Sequence, residues 1–396
     1  MRETAYVNPT AAVPSAVNPI AAAGMVEVVR LSVRFKERIA AVKSQIGEGE
    51  FAWYPNDSLG SFTAFDAILT GRFRSLLDNP GGRLALDIGC ADGDVAFFLE
   101  SLGFRVIAID HPDTNFNRMR GIRKLKEALN SRVEIRSADI DSQFQLPEGQ
   151  FDMVFLLGTL YHLKNPYYIL DLLSRSARFC FLSTRVARFT PEGMEIRSCP
   201  VAYLLDPSEL NQDSTNYWIF SEAGLRRLVR RAGWEVCNYG TIGDTQKSKP
   251  DNLQNDERAF CLVRNRRLTD PGFTACLLKG WHELEEGRWR WTERCFSVEL
   301  PVPELRSDVA LELWFTYPDY VKQRIESIRL NATIGHVALG EVQYSSCGEH
   351  VYRANVPAYL LSRRTAIVSF ELDRAIPPDS VDLRERGIIV LSVGLY

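Results

Sequence analysis

The sequence predicts an α/β protein with a second, all-β unit: a doubly wound sheet over residues 80–265, then a sandwich over 280–396. Three observations predict it. From about residue 80, short apolar runs alternate with segments of helical period. One run, "LALDIG", leads directly into a glycine turn, "CADGD", as a strand feeding a nucleotide-binding loop does. Beyond residue 280 the helical pattern gives way to short runs punctuated by Pro, Gly and Asn, several alternating with period two.

Composition sets the outer limits. At 396 residues the chain can build two cores, and 45% hydrophobic with 24% charged residues is a globular balance. A net charge of −3 gives no overall reason for a polyanionic partner. The eight cysteines contain no C-x-x-C pair and the five histidines no metal-ligand spacing, so thiols are expected reduced and no metal is expected. The Ala-, Val- and Pro-rich start lacks a basic n-region and the length of a membrane span, so residues 1–24 read as a flexible leader of a cytoplasmic protein.

The elements follow in order. Val28, Leu31, Phe35, Ile39, Val42 and Ile46 step by three and four before Gly47, predicting one amphipathic helix with a glycine stop. That helix either packs on its own domain or pairs with a second copy. Strands are expected at "RLALDIG", at 105–110, at 132–139, at 151–158 and at 178–184. Between them lie a helix with Val95, Phe98, Leu99 and Leu102 on one face, and a basic helix over roughly 115–130. A further helix is capped by Asn165-Pro166. Ser221 starts a last helix, ending at Gly233, and strands follow near 235–242 and 258–264. Repeated β-α units predict a parallel sheet covered on both faces. Residues 25–79 read as a helix and aromatic lid, and 266–279 as a linker, with no helical pattern beyond it.

The glycine turn discriminates between cofactors. A dinucleotide loop wants a glycine under the pyrophosphate, yet Ala91 stands there, and no Gly-Lys-Ser/Thr is present for a P-loop. An acid before the turn, Asp87, suits a ligand bearing an amine or sulfonium. Asp110, 21 residues after Gly89 at the end of the second strand, sits where a carboxylate grips ribose hydroxyls.

"LDIGCADGD", "VIAIDHP", "RSADI" and "FDMVFLLGTLYHLKNP" together resemble the successive motifs of the class I S-adenosylmethionine-dependent methyltransferases, over about residues 80–265. The resemblance implies a Rossmann-like, seven-stranded domain with S-adenosyl-L-methionine as cofactor. It places Asp87, Gly89, Cys90 and Gly93 at the methionine moiety and Asp110, with His111 after it, at the ribose. It places Asp139 and Ile140 about the adenine, and Leu157 and Gly158 at the amino-acid end. The blander readings are a tight turn at the two glycines and a solvated acid at Asp139.

On the reacting side, Tyr161 and His162 follow the fourth strand at the sheet's carboxyl edge, with His162 the candidate base. Its alternative role is packing against the loop or capping a helix. "LYHLKNP", "FAWYPNDSLG" and "STNYWIFSEAGLRRLVRRAGW" resemble, more narrowly, enzymes related to the tRNA wobble-uridine carboxymethyltransferases. That resemblance implies Trp53, Tyr54, Tyr203, Asn216 and Trp218 about an acceptor pocket, with ordinary packing as the alternative. "GWHELEEGRWRW" and the terminal "DLRERGIIVLSVGL" resemble a β domain appended to bacterial enzymes of surface-polysaccharide pathways.

The reading is therefore a methyltransferase, O-directed, acting on a small-molecule or glycan acceptor. Two alternatives stay open: a tRNA wobble-uridine modifier, for which Arg118, Arg120, Arg123, Lys124 and Lys126 supply a basic helix, and a non-catalytic cofactor-binding assembly protein.

Overall fold

In the computed structural model the described residues are 24–47, 49, 51–141, 144–146, 151–211, 213–265, 276–285, 289–302 and 309–395. The expected leader lies outside them except for Gly24, and the expected linker except for 276–279. The chain divides into two compact units, the second made of Asn265–Tyr396 with the short pieces Ser174–Ser176 and Gly233–Glu235.

The first unit opens with helix α1 (Met25–Ile46), which buries Val28, Leu31, Phe35 and Ile39 along one face. Helix α2 (Ser61–Ile68) follows. Alternation then sets in: β1 (Leu84–Ile88), α3 (Asp94–Leu102), β2 (Arg105–Asp110), α4 (Arg120–Leu129), β3 (Glu134–Ser137), β4 (Phe151–Leu157), α5 (Pro166–Ser174) and β5 (Ala177–Val186). After β5 come a short hairpin, β6 (Ala202–Leu204) and β7 (Trp218–Phe220), then α6 (Glu222–Arg231), β8 (Trp234–Gly243) and β9 (Glu257–Asn265). Ser221 caps α6 by accepting from the Gly224 N–H, and the Asn165 side chain accepts from the Tyr168 N–H at the start of α5.

Strand order is β3-β2-β1-β4-β5, continued by β9 and β8. These are the seven strands the sequence predicts, and the β6–β7 hairpin, joined through one Val186–Phe220 pairing, makes the sheet nine-stranded. Every pairing from β3 to β5 is parallel. The expectation of a parallel sheet fails at β9, which runs antiparallel to β5. Only an irregular connection separates β8 from β9, and without a helical crossover a neighbouring strand must reverse. The basic helix is also shorter than expected, because Arg118 and Met119 hold left-handed conformations that end a turn before Arg120.

Register assigns the faces. Asp87 pairs with Ala108 and Phe155, Phe155 with Phe181, and Arg185 with Arg258, so their side chains share one face of the sheet. Phe155 and Phe181 stack with ring centroids 4.9 Å apart, and Phe65 of α2 meets Phe181 and Phe260 edge-on at 4.9 and 5.5 Å. Phe62 does the same for Phe98, tying α2 to α3. This aromatic floor packs α2 and α3 against that face of the sheet.

The second unit contains β10 (Leu277–Glu285), β11 (Trp289–Pro301), β12 (Ala310–Tyr317), β13 (Ile328–Ile334), β14 (Val337–Tyr344), β15 (Gly348–Asn355), β16 (Thr365–Leu372) and β17 (Ile389–Leu395). All of its pairings are antiparallel, in the order β14-β13-β16-β11-β17-β12-β15 with β10 beside β11. Its strands are linked by hydrogen bonds into one set around a core, β11 pairing with β17 at Arg290–Trp291 and with β16 from Cys295 on. The outermost strands of the order meet: Tyr352 donates to the Gly340 carbonyl and Tyr344 to that of Val351. A short helix, α7 (Asp319–Lys322), interrupts the strands where no helical pattern was expected, because four residues are too few to show a period. Trp281 donates to the Ser297 carbonyl and packs edge-on against Phe296, while Trp291 is buried against Tyr320.

Replacing Phe65 by Ala removes a fully buried ring from this floor and is expected to cost about 3–5 kcal/mol. Chemical denaturation checks it; a loss below about 1 kcal/mol would show that the floor is not what supports the sheet.

Candidate active site

The carboxyl ends of β1, β2, β4 and β5 and the amino end of the antiparallel β9 converge where strand order reverses between β1 and β4, the position at which open α/β sheets bind ligands. The loop after β1 turns sharply. Gly89 sits at φ 71°, and a Cβ there would meet the Thr159 hydroxyl at 2.2 Å. Gly93 sits at φ 85°, with Ile122 and Phe97 closing on any side chain. Both positions thus require glycine, and Thr159 from the β4 edge presses against the loop while donating to the Ile88 carbonyl.

Two acids lie beneath the loop. Asp110 accepts from the backbone N–H of Ala91 (2.8 Å) and of His111 (2.8 Å), and from the Asn115 amide (3.0 Å). Burial raises its pKa and these bonds draw it back. Asp87 is 2% exposed, and its Oδ2 has no hydrogen-bond partner. Burial first, then the charge of Asp110, push its carboxyl up to about 8. A buried carboxylate lacking a partner is costly. An ammonium or sulfonium at this place would satisfy it, so the donor set fits a cationic nucleoside cofactor.

The other expected cofactor residues are grouped nearby by the fold. Ile140 is buried after β3, while Asp139 is exposed and holds the Asp141 N–H. Asp141 in turn accepts from the N–H of Lys164 and of Asn165, pinning the segment after β3 to the segment after β4. Leu157 and Gly158 end β4, where the Gly158 N–H donates to the Ser183 hydroxyl and backbone carbonyl. Cys90 is buried, and burial raises its thiol pKa. The His111 ring is half-buried.

The expected acceptor residues divide. Tyr54 faces the cleft: its backbone N–H donates to Asp92, its ring meets Phe116 edge-on, and the charges of Asp110 and Arg258 act on its hydroxyl. Trp53 instead closes the end of α1, donating to the Gly47 carbonyl with the Lys43 ammonium over its ring. Tyr203 packs with Ile196, Leu205, Leu210 and Ile219, and its hydroxyl donates to Glu209. Asn216 is buried and donates to the Leu210 carbonyl, shaping the loop before β7. Trp218 lies on β7, its indole N–H on the Lys164 carbonyl.

His162 is fastened to that same loop. Its Nδ1 lies 3.0 Å from Thr215 Oγ1 and 3.3 Å from the Thr215 carbonyl. The Thr215 hydroxyl donates to Asp213, so both Thr215 oxygens can only accept from the ring. Nδ1 therefore carries the proton, and Nε2 keeps its lone pair. Burial holds the pKa below the ordinary histidine range, with Asp213 opposing and Arg258 reinforcing. The Tyr161 ring rests against it at 4.1 Å, and the Arg258 guanidinium lies 5.6 Å from the Tyr161 centroid.

Sequence reasoning missed several of these groups. Asp92, inside the glycine turn, receives Lys43 at 3.3 Å, the Tyr54 N–H and the Asn117 amide, and so ties α1 and the aromatic segment to the loop. An acid inside a glycine turn was its visible signal. Arg185, a cation within the apolar strand "RFCFLSTRV", was another. Thr159, Asp213 and Thr215 carried none. Among the described residues, no group of three or more His, Cys, Asp or Glu could hold a metal ion.

Residues 86–178 match the family model described as a methyltransferase domain, from the end of β1 to the start of β5. No curated protein matches the chain. Solved structures with similar backbones include the N-terminal domain of EvdMO1 crystallised in the presence of SAH and D-fucose, at 18% identity over 58% of this chain and 97% of that one, TM-score 0.38. TehB from Haemophilus influenzae shares 19% over 46% and 57%, TM-score 0.33. Magnesium protoporphyrin IX methyltransferase from Synechocystis PCC 6803, with bound SAM, shares 15% over 61% and 82%, TM-score 0.33.

Asp87 supplies the test of the cradle. The folded protein holds this proton more tightly than the unfolded chain, so its stability falls as pH rises from the ordinary carboxylate range to about 8. Asp87→Asn is expected to raise the melting temperature of the ligand-free protein, more at pH 9 than at pH 5. It is also expected to weaken S-adenosylhomocysteine binding by at least about tenfold. Calorimetry reads both; unchanged binding together with unchanged stability would remove Asp87 from the cradle.

Proposed function

We propose that this S-adenosylmethionine-dependent methyltransferase acts on a hydroxyl of a sugar-containing or small-molecule acceptor, with His162 as the base. The cofactor supplies an electrophilic methyl group, so the protein's task is alignment and removal of the acceptor proton. Asp87 and Asp110 favour a cation at the β1–β2 side of the cleft. The turn at Gly89 and Thr159 fixes how deeply the ligand sits.

The observation that carries the reading is the state of His162. Burial disfavours its charged form, Thr215 orients it through Nδ1 and Asp213 backs it, leaving Nε2 to accept a proton. A hydroxyl must lose its proton to be methylated, whereas a carboxylate acceptor would need no base. Asp213, 4.0 Å from Nδ1, then stabilises the imidazolium that forms. No helix among the described residues is long and apolar enough to cross a membrane, and we place the reaction in the cytoplasm.

Incubation with a library of monosaccharides and small alcohols, with mass spectrometry for an added methyl group, identifies the acceptor. On that acceptor, wild-type kcat/KM should rise with pH through a pKa below the ordinary histidine value. His162→Gln should lower kcat by about 10²–10⁴-fold and abolish that acid limb. Near-normal turnover with an unshifted profile would overturn the assignment.

A further inference from the structure

The face that carries Asp87 and Asp110 ends, on its other side, in two opposed cations. Arg185 on β5 and Arg258 on β9 are direct partners in the antiparallel register, so their side chains leave the same face as neighbours. Like charges placed this way repel unless something negative lies between them. One compensating group is present: Asp256 pairs with the Arg185 Nε. The two terminal nitrogens of Arg185, Nη1 and Nη2, are buried without a hydrogen-bond partner. The Arg185 side chain is only 4% exposed, so water does not stand in for the missing acceptor.

Arg258 is the more accessible of the two. Its guanidinium stands over the Tyr161 ring, its Nη1 lies 3.1 Å from where a Gly158 Cβ would be, and its charge acts on both Tyr54 and His162. Among the described residues no carboxylate forms an ion pair with it. Two guanidiniums and one carboxylate leave this corner one negative charge short, beside the candidate base. Buried arginine donors in such a pair match the oxygens of a carboxylate or phosphate.

We propose that Arg185 and Arg258 hold an anionic oxygen group, carboxylate or phosphate, on the acceptor, so that the enzyme selects acidic sugars or sugar phosphates over neutral ones. This rests on the acceptor reading above and specifies its substrate class. Acids then meet the cationic side of the bound cofactor at β1 and β2, and the arginines meet the acidic side of the acceptor at β5 and β9. The anion fixes the acceptor in register, and a hydroxyl elsewhere on the same molecule faces His162.

Equilibrium binding tests it without turnover, and so independently of whether His162 acts as the base. The full-length protein, saturated with S-adenosylhomocysteine, is titrated by calorimetry with glucose 1-phosphate, glucuronate and glucose. The expected result is measurable binding of one or both charged probes and none of glucose. The phosphate and carboxylate arms show which group is preferred. Arg258→Gln should weaken the charged probe about tenfold or more, with Arg258→Lys intermediate and S-adenosylhomocysteine affinity unchanged. Charged probes that bind no better than glucose would overturn the proposal. So would a tenfold loss of S-adenosylhomocysteine binding in Arg258→Gln, which would give the arginines to the cofactor's own carboxylate. Wild-type protein that fails to bind S-adenosylhomocysteine would refute the cofactor assignment itself, a result distinct from both.

Discussion

A buried acid beneath the glycine loop, Asp87, has one carboxyl oxygen to which the fold gives no hydrogen-bond partner. Asp87 sits at the end of a strand buried on both sides, where water is excluded and the charge of Asp110 is close. A charge left in that state destabilises the protein. The surroundings nevertheless hold it in place: Phe155 and Phe181 stack along the same face, and the backbone of Ala96 in α3 draws its pKa back only in part. Strain of this kind persists at functional sites because the rest of the core over-determines it.

The neighbouring acid in the loop shows the opposite treatment. Asp92 is as buried as Asp87, yet its oxygens are satisfied by Lys43, the Tyr54 N–H and Asn117. Those contacts reach from α1 and the aromatic segment across to the start of α4, so the charge ties these segments to the loop. Two aspartates five residues apart therefore differ: the oxygens of Asp92 are held by the protein, while Oδ2 of Asp87 has no hydrogen-bond partner. The same division recurs among the cations. Arg188 is matched by Glu257, whereas Arg185 keeps two buried donors without a hydrogen-bond partner.

Legibility followed period and motif. The α1 stripe, the five strands from β1 to β5 and their helices were readable because a buried strand or a one-sided helix needs an unbroken chemical pattern. The turn at Gly89 and Gly93, and Asp110 at the end of β2 beneath it, were readable because a tight turn and a strand-end acid occupy set places in a β-α-β unit. Trp53, Tyr203 and the tryptophans of the second unit look alike in sequence to cleft-lining aromatics. Their indole N–H and hydroxyl groups are in fact spent on Gly47, Glu209 and Ser297. An aromatic side chain serves either role, and only its neighbours decide which.

By itself the sequence determined the α/β class, the position of the cofactor loop and the charge of the ligand that suits it, because each depends on residues close together in the chain. Tertiary structure alone decided the direction of β9, the tautomer of His162 and the meeting of Arg185 with Arg258. Each of these joins segments 53 to 85 residues apart, and neither Thr215 nor Arg258 sits in a local pattern that announces its partner. A hydrogen bond or a repulsion across a sheet exists only once the strands are in register, and no stretch of sequence contains both sides of it.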